Sequence, residues 1–115
     1  MTVTIYHNPR CSKSRQTLGL LRENNIEPEI VEYLKTPPDA AALGKLLDML
    51  GLEPRDLMRK KEKEYKENGL ANPDLSREEL IAAMIAHPKL IERPIVVKDE
   101  KAALGRPPEV VLDIL

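Results

Sequence analysis

A strand, a helix and a second strand succeed one another near the start of this chain, and that order limits its fold more than any other feature. Thr2-Val3-Thr4-Ile5-Tyr6 alternates with a period of two, as a strand does, and Cys11, Ser14, Leu18 and Leu21 then recur at helical spacing. Pro28-Glu29-Ile30-Val31-Glu32-Tyr33 reads as the second strand. Because the connection is helical, the two strands should run parallel with a right-handed crossover. The chain opens as a βαβ unit.

The remainder adds helices and then a hairpin. Thr36-Pro37-Pro38-Asp39 reads as a helix start with proline just inside a threonine cap, followed by Leu43, Leu46, Leu47 and Leu50 on one face and Gly51 as the stop. Residues 53–68 hold two more short helical pieces, with the mixed-charge run Arg59-Lys60-Lys61-Glu62-Lys63-Glu64 read as a solvated face. Ser76 and Glu79 form a capping box for a helix with Leu80, Ile81, Met84 and Ile85 inward, which Pro88 ends. Ile95-Val96-Val97 and Lys101-Ala102-Ala103-Leu104 flank a turn at Lys98-Asp99-Glu100, and Pro107-Pro108-Glu109 opens a terminal helix carrying Val110, Val111 and Ile114. The fold class is α/β, a mixed four-stranded sheet built as βαβ then ββα, with a helical insertion over roughly residues 38–90. The expectation is a single domain over 1–115, favoured over an independent second domain of about fifty residues.

Composition narrows the function classes. Tryptophan and phenylalanine are absent and there are 3 tyrosines, so the core must be aliphatic. A net charge of −1 with 32% charged residues gives no electrostatic footprint for nucleic acid. The longest apolar stretch, 80–86, is too short to span a bilayer, and the first residues lack the basic start of a signal peptide, so the expected location is cytoplasmic. One cysteine excludes an internal disulfide, and neither metal-ligand spacing nor a glycine-rich phosphate loop is found.

That cysteine, Cys11, lies where the first strand gives way to the first helix, in His7-Asn8-Pro9-Arg10-Cys11-Ser12-Lys13-Ser14-Arg15. A helix start carries unpaired N–H groups and a partial positive charge, and both favour a thiolate. A free cysteine titrates near ~8.5, so about 3% is ionised at neutral pH. The helix terminus contributes roughly 0.3–1 kcal/mol, less than the ~1.36 kcal/mol of one pKa unit. A nearby guanidinium contributes up to about 4 kcal/mol at an effective dielectric near 20, so arginine charge is expected to dominate the activation.

The His7 to Arg15 motif, Glu92-Arg93-Pro94-Ile95-Val96-Val97 and Gly105-Arg106-Pro107-Pro108-Glu109-Val110 together resemble the glutaredoxin-dependent arsenate reductase family. The likeness extends to the Tyr33-Leu34-Lys35-Thr36-Pro37-Pro38 connector and the Leu57-Met58-Arg59-Lys60 turn. It implies a thioredoxin-like fold, Cys11 as the nucleophile on arsenate, and Arg59, Arg93 and Arg106 around the oxyanion, with His7, Asn8, Ser14, Arg15 and Pro94 in support. It implies no bound cofactor: glutathione is a co-substrate, and glutaredoxin is the partner that resolves the mixed disulfide on Cys11. Arginine suits such a substrate because its planar fork holds two oxygens at once. The resemblance also predicts a cis bond at Arg93-Pro94, whereas His87-Pro88 should be trans.

Local readings leave some roles open. His7 is a hydrogen-bonding member of the strand end or a tuner of the thiol, and Ser14 directs its hydroxyl at the sulfur or back along the helix, the resemblance favouring the sulfur. Ser12 stands where glycine commonly follows the cysteine, and the best-known members run on beyond the position of Leu115, so the chain is similar to a shorter subgroup. Rival functions are a glutathione-dependent thiol reductase or transferase on another substrate, and a non-catalytic regulator related to RNA-polymerase-binding members. Ser14 occupies the second position of the latter's Cys-x-x-Cys pair. The phosphatase-like reductase class needs a Cys-x5-Arg loop, whereas Arg15 follows Cys11 by only four residues.

Overall fold

The computed structural model describes residues 2–115. They form two compact units, one from residues up to Thr36 together with Arg93–Leu115, the other Pro37–Glu92. The first unit contains strands β1 (Val3–Tyr6) and β2 (Glu29–Val31), helix α1 (Ser12–Glu23), and strands β3 (Ile95–Lys98) and β4 (Lys101–Leu104). The sheet order is β2-β1-β3-β4, with β1 and β2 parallel and β3 antiparallel to both β1 and β4. This is the expected thioredoxin-like arrangement, βαβ followed by ββα. Its core is aliphatic, formed by Val3, Ile5, Leu21, Val96, Ala103 and Val111.

Two elements in this unit differ from the sequence reading. The second strand spans three residues rather than six, because its sole neighbour β1 ends at Tyr6. The last rung is the His7 N–H donating to Val31 O at 2.8 Å, after which Lys35 and Thr36 N–H groups turn back to Glu32 O. The terminal segment Pro108–Ile114 is a 3-10 helix rather than an α-helix. At three residues per turn Pro108 and Val111 fall in line and are buried, while Val110 is 36% exposed. The Arg93-Pro94 bond is cis as expected, His87-Pro88 is trans, and Arg106-Pro107, for which no cis form was foreseen, is also cis.

The second unit holds α2 (Ala40–Leu50), α3 (Lys63–Glu67) and α4 (Arg77–Ala86), with 3-10 turns at Pro54–Leu57 and Pro88–Leu90. Helix α4 packs against α2 and both short turns, burying Leu43, Leu46 and Leu47 on one side and Leu80, Ile81 and Met84 on the other. Helix α2 is capped by Asp39, whose carboxylate accepts the Ala42 N–H at 2.8 Å, and not by Thr36. Pro38 forces the residue before it out of helical backbone, so the helix begins only beyond the proline pair. Helix α4 has the expected capping box: Ser76 Oγ accepts the Glu79 N–H at 3.1 Å and the Glu79 carboxylate accepts the Ser76 N–H at 3.4 Å. Ser76→Ala should lower stability by about 1 kcal/mol in urea titration. Among the described residues no helix is long and apolar enough to cross a membrane.

Candidate active site

Strand β1 delivers the chain to the start of α1 through five residues that are held by their own hydrogen bonds. The Cys11 N–H donates to Asn8 O and the Arg10 N–H to Asn8 Oδ1, each at 3.0 Å, and Arg15 Nη1 donates to Pro9 O at 3.0 Å. Cys11 is the N-cap of α1, extended at φ −95° and ψ 124°, and its carbonyl accepts the Arg15 N–H. The first turn of α1 contains no acidic residue. No carboxylate therefore competes for the orphan N–H donors, and Lys13 and Arg15 stand where a helix concerned only with stability would carry Asp or Glu.

The sulfur uses those donors. Cys11 is 8% exposed, and burial pushes its thiol up. The Ser14 backbone N–H, the charge of Arg93, the Lys13 backbone N–H and an Arg93 side-chain hydrogen bond oppose this and win, so the pKa falls below the ordinary cysteine value. The sequence reading put arginine charge first. The structure adds directed backbone N–H groups from the first turn of α1 to that charge, and Arg93 acts on the sulfur through both its charge and a side-chain hydrogen bond.

Ser14 differs from expectation too. Its hydroxyl is directed neither at the sulfur nor back along the helix: Oγ lies 2.6 Å from His7 Nδ1 and accepts the Asn8 N–H at 3.0 Å. His7 and Ser14 are both buried. Burial, more than the charges of Arg22 and Arg15, lowers the His7 pKa against the opposing pull of Glu32. His7, Asn8 and Ser14 thus brace the loop that presents Cys11, a role their spacing of one and six residues did not announce.

Pro94 precedes β3 and is buried, with the half-buried Arg93 next to it. Arg106 follows β4, and its Nε donates to Arg93 O at 2.9 Å, tying the two Arg-Pro steps together. Arg59 belongs to the second unit, where Nη1 pairs with Glu62 Oε1 at 2.7 Å and its N–H donates to Leu90 O at 2.7 Å. Both members of that pair are half-buried, so they stand apart from the solvated run around them. The i,i+3 spacing of opposite charges was the available signal for Glu62. Among the described residues no cluster of three His, Cys, Asp or Glu is placed to hold a metal ion.

The ArsC family model matches residues 6–114, which takes in the cysteine loop, both Arg-Pro steps and every strand end they occupy. The chain belongs to the ArsC family. Among its relatives, the uncharacterized protein YfgD of Escherichia coli K12 is 62% identical over 114 residues, covering 98% of this chain and 96% of that one. The arsenate reductase of Rhizobium meliloti is 52% identical over 115 residues, 100% of this chain and 82% of its own. The solved arsenate reductase of Vibrio cholerae superposes with a TM-score of 0.97 at 55% identity, covering 100% of this chain and 98% of that one. In this ArsC chain, then, the sheet, the cis Arg93-Pro94 bond and the cysteine at the start of α1 are set in a fold shared at high identity.

Proposed function

We propose that this chain is an oxidoreductase that reduces arsenate to arsenite, with Cys11 as the nucleophile. The single observation that carries the reading is the Cys11 thiol held below its ordinary pKa by the Ser14 N–H and Arg93. Relatives at about half identity that are named arsenate reductases support it. Arsenate is an anion at neutral pH, so attack by a thiolate requires cations that offset the repulsion and stabilise the developing charge. Arg93 and Arg106 supply them in this reading, and the resemblance adds Arg59 to the set. The Cys11 sulfur forms a bond to arsenic as one oxygen leaves, protonated, as water. The glutathione thiol then attacks that sulfur, forming a mixed disulfide while the sulfur–arsenic electron pair leaves with arsenite. Two electrons reach arsenic, one from each sulfur.

The sequence contains one cysteine, so an outside thiol must resolve the mixed disulfide. Glutaredoxin is that partner in this proposal, and a thiol cycle of this kind belongs in the reducing cytoplasm. The test is NADPH oxidation by the purified chain with glutathione, glutathione reductase and glutaredoxin. Arsenate-dependent oxidation that requires glutaredoxin is the expected result. With arsenate and glutaredoxin left out and a mixed disulfide of glutathione supplied as the oxidant, NADPH oxidation that requires the chain would instead identify a general thiol reductase, and no arsenate-dependent oxidation would defeat the proposal.

A further inference from the structure

Gly105, at the end of β4, is buried where three parts of the first unit converge. Its N–H donates to Pro94 O at 2.9 Å. A β-carbon placed on it would lie 2.5 Å from Thr17 Oγ1, 2.8 Å from Pro94 Cγ and 3.1 Å from Thr17 Cγ2. Real β-carbons do not approach other atoms so closely. The φ of Gly105 is outside the left-handed region that Gly51 and Gly69 occupy, so the position demands space rather than a conformation reserved for glycine.

The atoms facing Gly105 have little room to yield. Thr17 is fully buried on α1 and its hydroxyl donates to Lys13 O at 2.8 Å, one turn nearer the cysteine. The Pro94 ring is buried and follows Arg93 through a cis bond, and Arg106, next after Gly105, ties its Nε to Arg93 O. A displacement at Gly105 is therefore passed to the Arg93-Pro94 step from two directions: through the ring it touches and through the Arg106 bond.

We propose that Gly105 is a positioning residue for the thiolate site: lacking a side chain, it lets the end of β4 close on Thr17 and Pro94 and so holds Arg93 at the Cys11 sulfur. The inference rests on the Cys11 and Arg93 pairing used in the functional reading, but its test needs neither arsenate nor glutathione. The rate of Cys11 alkylation by iodoacetamide is measured against pH in the full chain, with thermal unfolding in parallel. Gly105→Ala should raise the apparent thiol pKa by about one unit, the size expected when one close cation is drawn away. Adding Arg93→Ala to that variant should raise it little further, since the same contact is already lost. Gly105→Ala with Thr17→Ala removes two of the three close atoms, and its pKa should fall between those of Thr17→Ala and Gly105→Ala. A glycine that matters only for packing would lower the melting temperature and leave the alkylation profile in place, and that result would overturn the proposal. Should Gly105→Ala not fold, the double variant decides: a profile superimposable on that of Thr17→Ala defeats the inference, and a raised pKa supports it. Because alkylation reports on the free thiol, a failure here leaves arsenate reduction standing, and absent arsenate turnover in the unmodified chain leaves this result standing.

Discussion

Cys11→Ser should bring arsenate-dependent turnover below detection, a loss of at least about 10⁴-fold, while the fold persists. The serine oxygen is of similar size, but it is not ionised near neutral pH and cannot pass through a disulfide, so both the attack and the transfer of electrons fail. Stability near neutral pH should change by no more than about 1 kcal/mol, because serine is itself a favourable N-cap for α1 and Cys11 lies at the edge of the core. Far-ultraviolet circular dichroism and urea titration check the fold, and the coupled NADPH assay checks turnover. Wild-type rates in a correctly folded serine variant would remove Cys11 from the mechanism.

Arg93→Ala should reduce kcat/KM for arsenate by about 10²- to 10³-fold, the range seen when one preorganised donor to a developing anion is lost. Its second effect is on the thiol. The Ser14 and Lys13 N–H groups remain, so the Cys11 pKa should rise without reverting fully to that of a buried cysteine. The sign carries over to stability. A thiol whose folded pKa is depressed binds fewer protons in the native state than in the unfolded chain between the two pKa values, so stability increases with pH there. The contribution is complete above the unfolded value, ~8.5, and is lost as pH falls through the folded one. The wild-type advantage over Cys11→Ser should therefore widen as pH rises from below the depressed folded pKa toward ~8.5, and should widen less in the Arg93→Ala background. A gap independent of pH would show that the site does not hold a thiolate.

These two variants probe different kinds of sequence information. Cys11 was legible as a candidate reactive position because it stands at the start of a helix among the basic residues Arg10, Lys13 and Arg15. Arg93 and Arg106 were legible only through the motifs around them, since an arginine before a proline is otherwise unremarkable. Ser14 was singled out with a different partner from the one it has. Helical spacing placed it one turn from Cys11, yet the side chain bonds to His7, seven residues earlier, because the β1-to-α1 loop folds the strand end over the helix start. Thr17 and Gly105 were not singled out at all, as a close approach between α1 and the end of β4 leaves no periodic trace in either segment.

Local pattern determined the sheet-forming segments, the α4 capping box and the place of Cys11 at the start of a helix, because each depends on side-chain period or on hydrogen bonds within a few residues. Tertiary structure decided where β2 stops, why the C-terminal segment winds as a 3-10 helix, and which groups reach the sulfur. A strand extends only as far as its neighbour offers hydrogen bonds. The C-terminal helix takes a winding that puts Pro108 and Val111 in line against the core, and a thiol takes its pKa from whatever donors and charges the packed chain brings within a few ångströms.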